Sequence, residues 1–324
     1  MLANNSLSQE DLHLVSFYDN EENNQISVEP LREMARYYLS QGYGVIYGVE
    51  EFGTGGKNSI AKKIIETKDK LDILSTSSST SPSTHNVNLQ QSGKPKAMDK
   101  LMIIDPNSMY KENYKSSDII SYWLSQYSKA SQDFGLENNN VKGIMGINIP
   151  DPYFEKKEFE KFLEFEEGID RAFDGKIGLI CWYKKKWLEE LTLPQFVRMM
   201  ISHRTVINND LSIVKWDVGK ILDIITKTID SAAETQNNSN NSNNNKELKK
   251  DDKDEDNQTY SNLIFETIRN RYHLDRNSLV TNPEQFEDTF TKMLGKDSYE
   301  ELSNNIKYNL VNEIFGYSNK LATS

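Results

Sequence analysis

Between residues 11 and 234, apolar runs of strand length alternate with stretches of helical periodicity. This alternation constrains the fold more than any other feature of the chain. Strands are predicted at residues 12–18, 43–48, 101–105, 143–149, 177–183 and 211–215, and helices at 28–40, 60–70, 118–134, 155–173, 194–203 and 217–233. Pro30 suits a first helical turn, where a missing N–H costs nothing. Strands joined through helices are parallel, because only a crossover returns the chain to the same edge of a sheet. The pattern therefore predicts an α/β fold, a mostly parallel sheet covered by helices on both faces. Ligands of such sheets bind beyond the carboxyl ends of the strands. The segments to inspect are residues 18–22, 50–56, 105–110, 149–153 and 183–187.

The 324 residues are only 36% hydrophobic, and adding glycine leaves the apolar share below the roughly 45–50% of an ordinary globular chain. Three polar stretches account for the deficit. Residues 1–10 are Asn-rich and expected to be disordered, residues 75–98 read as a flexible Ser-rich insertion, and residues 235–258 form an Asn/Ser and charged linker. They delimit an α/β domain over 11–234 and an all-α domain over 259–324, with helices expected at 261–272, 283–294 and 299–315. A segment that short lies near the lower limit for folding alone, so docking or oligomerisation would support it.

Thirty-eight basic residues against 49 acidic give a net charge of −11, which makes neither nucleic acid nor an anionic membrane an expected partner. Arg269, Arg271 and Arg276 raise a DNA-binding reading of the C-terminal domain, but its seven basic residues face nine acidic ones and no helix-turn-helix signature is clear. No run approaches the ~18–20 apolar residues of a membrane span, and residues 1–10 lack the basic and apolar regions of a signal peptide. The single cysteine, Cys181, excludes an intramolecular disulfide framework and a zinc site made of several thiolates. A cytoplasmic location is expected. His13, His85, His203 and His273 are scattered without metal-ligand spacing, so neither a metal nor another cofactor is expected.

Several motifs carry chemical options. Gly53-Thr54-Gly55-Gly56-Lys57 is a Gly-rich loop leading into a helix, the kind of segment whose backbone N–H groups cradle phosphate. It fails the P-loop spacing: with Gly56-Lys57 in register, Glu51 stands where the first glycine belongs and Asn58 where the magnesium-binding hydroxyl belongs. A solvated strand-to-helix turn is the plainer reading. Glu50 and Glu51 follow the strand GVIYGV, placing paired carboxylates near the ligand edge, where they can activate water, hold a metal or simply cap a helix. No GxSxG elbow surrounds a serine, and the apolar strand before Cys181 argues for a buried thiol. Phe159, Phe162, Leu163 and Phe173 share a helical face, as core residues do. Tyr18, Tyr110, Tyr153 and the run Cys181-Trp182-Tyr183 either line an apolar pocket or fill the core.

The segments LVSFYDNEE, GYGVIYGVEE, LMIIDPNSMY and FEKFLEFEEGIDRAF, followed by IGLICWYKKKWLEELTLPQFVRMMISHRTVI, together resemble the MEDS domain, the sensory domain of DcmR-type regulators in methanogens and methylotrophs. The block from Phe159 to Ile207 carries the most specific part of the likeness, which covers roughly residues 11–234. That family is regarded as a divergent relative of the RecA/KaiC-type ATPases, so the resemblance implies a RecA/KaiC-like sheet. It also makes the missing parts informative. Tyr18 runs into Asp19-Asn20-Glu21-Glu22, whose charge repels phosphate. Glu50 and Glu51 occupy the place of the catalytic Glu pair, whereas the strand that should end in a magnesium-binding acid presents Asn148, with Asp151 beyond it.

The tail resembles a small helical output domain of sensory proteins in ammonia-oxidising archaea, through Tyr272 with Leu274, Pro283-Glu284-Gln285-Phe286 and Met293-Leu294-Gly295. The resemblances imply a non-catalytic cytoplasmic sensor. A small organic ligand would bind at the strand ends, and residues 259–324 would pass occupancy to a protein partner. The candidate ligand-binding residues are Tyr18, Asp19, Glu50, Glu51, Asp105, Tyr110, Cys181, Tyr183 and His203. The alternative is a KaiC-like ATPase using Glu50 and Glu51 as catalytic residues.

Overall fold

In the computed structural model, the described residues are 13–18, 28–49, 57, 59–65, 97–105, 108–110, 113–172, 176–207, 213–241 and 259–315. Their strands are β1 (His13–Tyr18), β2 (Gly44–Gly48), β3 (Leu101–Ile103), β4 (Ile144–Asn148), β5 (Ile177–Lys184), β6 (Thr205–Ile207) and β7 (Ile213–Lys215). They form one sheet in the order β3-β2-β4-β5-β1-β6-β7, and the pairs β1/β5, β2/β3, β2/β4 and β4/β5 are parallel. The α/β class holds, and the arrangement is consistent with a RecA-like fold. The strand at β6 was not anticipated, because three residues after a helix are too few to show a period.

The strand order explains the two helical layers. Leaving β1 and β2 the chain moves toward the β3 edge, and leaving β3 and β4 it moves back, so right-handed crossovers put the two sets of helices on opposite faces. On the first face lie α1 (Glu29–Ser40) and a helical stretch at residues 59–65. Their Leu31, Met34, Ala35, Tyr38, Ile60 and Ile64 pack with Leu14, Val45, Tyr47, Met145, Ile147, Ile180 and Trp182 of the strands. Arg36 ties these two helices together. Its guanidinium donates to the Ile64 carbonyl at 2.7 Å and the Lys63 carbonyl at 3.0 Å, and is balanced by Glu29 at 2.8 Å and Glu33 at 2.5 Å.

The opposite face carries α2 (Ser116–Asp133) and α4 (Phe159–Ala172), the second preceded by a short α3 (Asp151–Glu155). The helix expected over residues 155–173 is therefore two helices. Lys157 has a φ of 56°, which ends the first, and the Glu158 carbonyl starts the second. Gly146 of β4 leaves room for α2: a Cβ there would meet the Tyr127 hydroxyl at 2.5 Å, Leu179 at 2.7 Å and Trp123 at 2.8 Å. The Tyr127 hydroxyl in turn donates to the Gly178 carbonyl.

The contacts divide the chain into two compact units, one of residues 1–187 with 207–213, the other of residues 188–206 with 214–324. The boundary falls within α5 (Lys185–Glu190), and the second unit, from Leu188 on, holds α6 (Leu193–Ser202), α7 (Val218–Asn241), α8 (Tyr260–Tyr272), α9 (Ser278–Thr281), α10 (Pro283–Leu294) and α11 (Lys296–Phe315). This differs from the expected division at the Asn/Ser tract. The helix predicted to end at residue 233 continues to Asn241, and α7 belongs with the C-terminal helices. Asp230 of α7 accepts from the Ser261 N–H at 2.7 Å and the Ser261 hydroxyl at 3.0 Å, at the first turn of α8. Thr228 accepts from Asn309 at 2.9 Å, and Lys307 of α11 donates to the Leu191 carbonyl at 2.9 Å. Among the described residues, no helix is long and apolar enough to cross a membrane.

Candidate functional site

The second face of the sheet contains a buried polar cluster. Side chains alternate along a strand, so the register pairs His13↔Leu179, Val15↔Cys181, Phe17↔Tyr183 and Asn148↔Cys181 bring His13, Cys181, Tyr183 and Asn148 to one face. From the helix above, α4 supplies Phe162, Phe165, Glu166 and Ile169 to the interior. Glu166 thus occupies a core position in the apolar stripe, and it is fully buried.

Three donors converge on that carboxylate. His13 Nε2 lies 3.0 Å from Glu166 Oε2, the Cys181 thiol lies 3.6 Å from the same oxygen, and the Tyr183 hydroxyl donates to Oε1. Cys181 Sγ is also 3.8 Å from His13 Nε2. Burial pushes the Cys181 thiol well above its ordinary pKa, and the neighbouring Glu166 charge adds to the effect. Burial likewise raises the Tyr183 phenol, with Cys181 and Glu166 contributing. Both groups stay protonated at neutral pH and remain donors to the carboxylate. Around them Tyr153, Phe154, Phe162 and Phe165 close the cluster from water.

Asn148 adjoins the cluster at the carboxyl end of β4 and is fully buried. Its Nδ2 faces the Tyr110 hydroxyl at 3.5 Å, and among the described residues its Oδ1 has no hydrogen-bond partner. Burial raises the Tyr110 phenol as well, so it too remains protonated. Asp151, the next acid after the strand, is already engaged: Oδ2 pairs with Lys184 at 2.8 Å, and Oδ1 accepts from Trp187 Nε1 at 2.9 Å.

The fold brings three of the candidate residues together. Tyr110, Cys181 and Tyr183 belong to this one buried region. Asp105 lies beyond the end of β3, with an exposed side chain, and its carbonyl accepts from the Ser108 hydroxyl at 2.6 Å. His203 is in the second unit, where it ends α6 with Nδ1 2.8 Å from the Met199 carbonyl oxygen. Tyr18 ends β1, while Asp19, Glu50, Glu51 and residues 53–56 lie outside the described residues. Lys57 is an exposed helical residue.

His13, Glu166 and Asn148 are absent from the candidate list: no motif marks the first two, and Asn148 stands out in the sequence only as a neutral residue where the family resemblance calls for an acid. Glu166 carries a local signal: Phe162, Glu166 and Ile169 repeat at helical spacing, so an acid stands where the stripe calls for an apolar residue. His13 carries a weaker one, sharing its strand face with Val15 and Phe17. Their mutual approach across 153 positions of sequence depends on the strand order alone. Comparison of the chain with protein-family models, with curated proteins and with solved structures gives no significant match.

Proposed function

We propose that the chain is a non-catalytic sensory protein that binds a small organic molecule bearing an O–H or N–H donor at the carboxyl end of β4. The observation that carries this reading is the buried Asn148 Oδ1, which lacks a partner among the described residues. Leaving such an acceptor unmet costs about 1–3 kcal/mol, which a ligand donor recovers. The MEDS resemblance supports the same reading. In a RecA-like ATPase relative, this strand ends in a magnesium-binding acid, and here the residue is a neutral amide. Asp151 is paired with the Lys184 ammonium. Signalling to a protein partner through residues 259–324 belongs to the proposal, as does a cytoplasmic location. The docking of α8 and α11 on α7 supports transmission by repacking of helices.

The test is thermal unfolding of the full-length chain across a panel of small alcohols, amides and amines, beside the Asn148→Leu variant. The expected result is a concentration-dependent rise in the unfolding temperature for one member of the panel, abolished by the variant. A rise that survives Asn148→Leu, or none across the panel, overturns this site. A rise with Mg-ATP favours the KaiC-like ATPase reading instead.

A further inference from the structure

The His13, Glu166 and Cys181 side chains come from β1, α4 and β5, and their ligand atoms all lie within 4.8 Å of one another. We infer that they form a binding site for a divalent transition metal of zinc type, independent of the small-ligand reading above. The inference rests on the match between their spacing and a tetrahedral centre. Zinc bonds of about 2.3 Å to sulfur and about 2.0–2.1 Å to nitrogen and oxygen place the ligand atoms about 3.3–3.6 Å apart. The separations here are 3.0 Å for Nε2 to Oε2, 3.6 Å for Sγ to Oε2 and 3.8 Å for Sγ to Nε2. A metal at their centre needs side-chain shifts of a few tenths of an ångström and no backbone movement.

Charge supports the same assignment. A buried carboxylate gains most from a full positive charge beside it, and the neutral Cys181 thiol at 3.6 Å is a weak donor in the place where a metal would stand. Binding a divalent cation breaks the Cys181 S–H bond, releases that proton to solvent and forms the metal–sulfur bond. His13 gives up the Nε2 proton that faces Glu166 and keeps one at Nδ1, so it binds through Nε2 as neutral imidazole, and thiolate and carboxylate cancel the two positive charges. Thiolate with imidazole is a donor set suited to zinc and its transition-metal neighbours, not to magnesium or calcium. Tyr183, donating to Glu166 Oε1, fixes the carboxylate orientation and is a positioning residue.

Because Cys181 is the chain's one cysteine, any thiolate–metal signal reports this site. The full-length chain is unfolded with chelator present, desalted and refolded by dilution into cobalt(II). The expected result is a near-ultraviolet sulfur-to-cobalt charge-transfer band saturating at about one metal per chain. Cys181→Ser should abolish it, and His13→Ala should abolish or greatly weaken it. Tyr183→Phe should keep the band with affinity reduced about 10–100-fold, an effect that loss of folding does not mimic. Should the variants fail to fold, X-ray absorption at the zinc edge of the wild-type chain decides, with one sulfur neighbour expected. Absence of a thiolate band in the refolded wild-type chain, or a zinc environment without sulfur, overturns the inference.

Discussion

Replacing Glu166 by Ala removes the acceptor on which the buried cluster converges, and its cost follows from the three donors left behind. His13 Nε2 at 3.0 Å, the Cys181 thiol at 3.6 Å and the Tyr183 hydroxyl have no water to replace the carboxylate, since the site is fully buried. A stranded donor costs about 1–3 kcal/mol, the thiol contributing least, and breaking a buried charged pair costs about 3–5 kcal/mol in total. We therefore expect a loss of about 3–5 kcal/mol in metal-free protein. For a unit of this size that lowers the melting temperature by roughly 6–20 °C. Glu166→Gln should cost less, because one amide oxygen still accepts, while Glu160→Ala, at an exposed position of the same helix, should stay within about 0.5 kcal/mol. The assay is chemical unfolding followed by tryptophan fluorescence in chelator, with Trp182 and Trp187 on or beside β5 as reporters. A Glu166→Ala variant as stable as Glu160→Ala refutes the claim that the carboxylate organises this face.

Three further outcomes are expected. Gly146→Ala should destabilise by about 1–3 kcal/mol in urea unfolding, because its Cβ would come within 2.5–2.8 Å of Tyr127, Leu179 and Trp123. Burial keeps the phenol of Tyr38 protonated far above its ordinary pKa. The folded state then binds more protons than the unfolded state above pH ~10, and stability falls there by up to about 1.4 kcal/mol per pH unit from this group. Tyr38→Phe should make that alkaline slope shallower by this amount in denaturant melts at graded pH. Asp230→Ala should destabilise by about 0.5–2 kcal/mol and raise hydrogen exchange at the first turn of α8, since Ser261 loses both of its bonds to that carboxylate.

The sheet was legible because strand-length apolar runs and helical periods are local signals, and residues 44–48, 144–148 and 177–184 fall within or beside the predicted strands. Strand order is not local. Nothing near His13 announces that β1 lies beside β5, so the approach of His13 to Glu166 was invisible and the histidines looked scattered. Cys181 was expected to be buried from its apolar strand, and it is. The polar linker was read from composition, which reports a lack of apolar side chains but does not forbid helix. The continuation of α7 to Asn241 is the outcome. The sequence shows Asn148 as a neutral residue at a strand end, whereas its unmet oxygen depends on burial that composition does not reveal.

The central claim is that a small organic donor, and not a nucleotide, occupies the strand ends. Thermal unfolding of the full-length chain with saturating Mg-ATP tests it most directly, with magnesium alone as the control. A ligand at 100 times its dissociation constant adds about 2.7 kcal/mol, or roughly 5–10 °C for a unit of this size. The expected result is no shift beyond the magnesium control. A rise of that size with Mg-ATP contradicts the claim and makes Glu50 and Glu51 the residues to replace next.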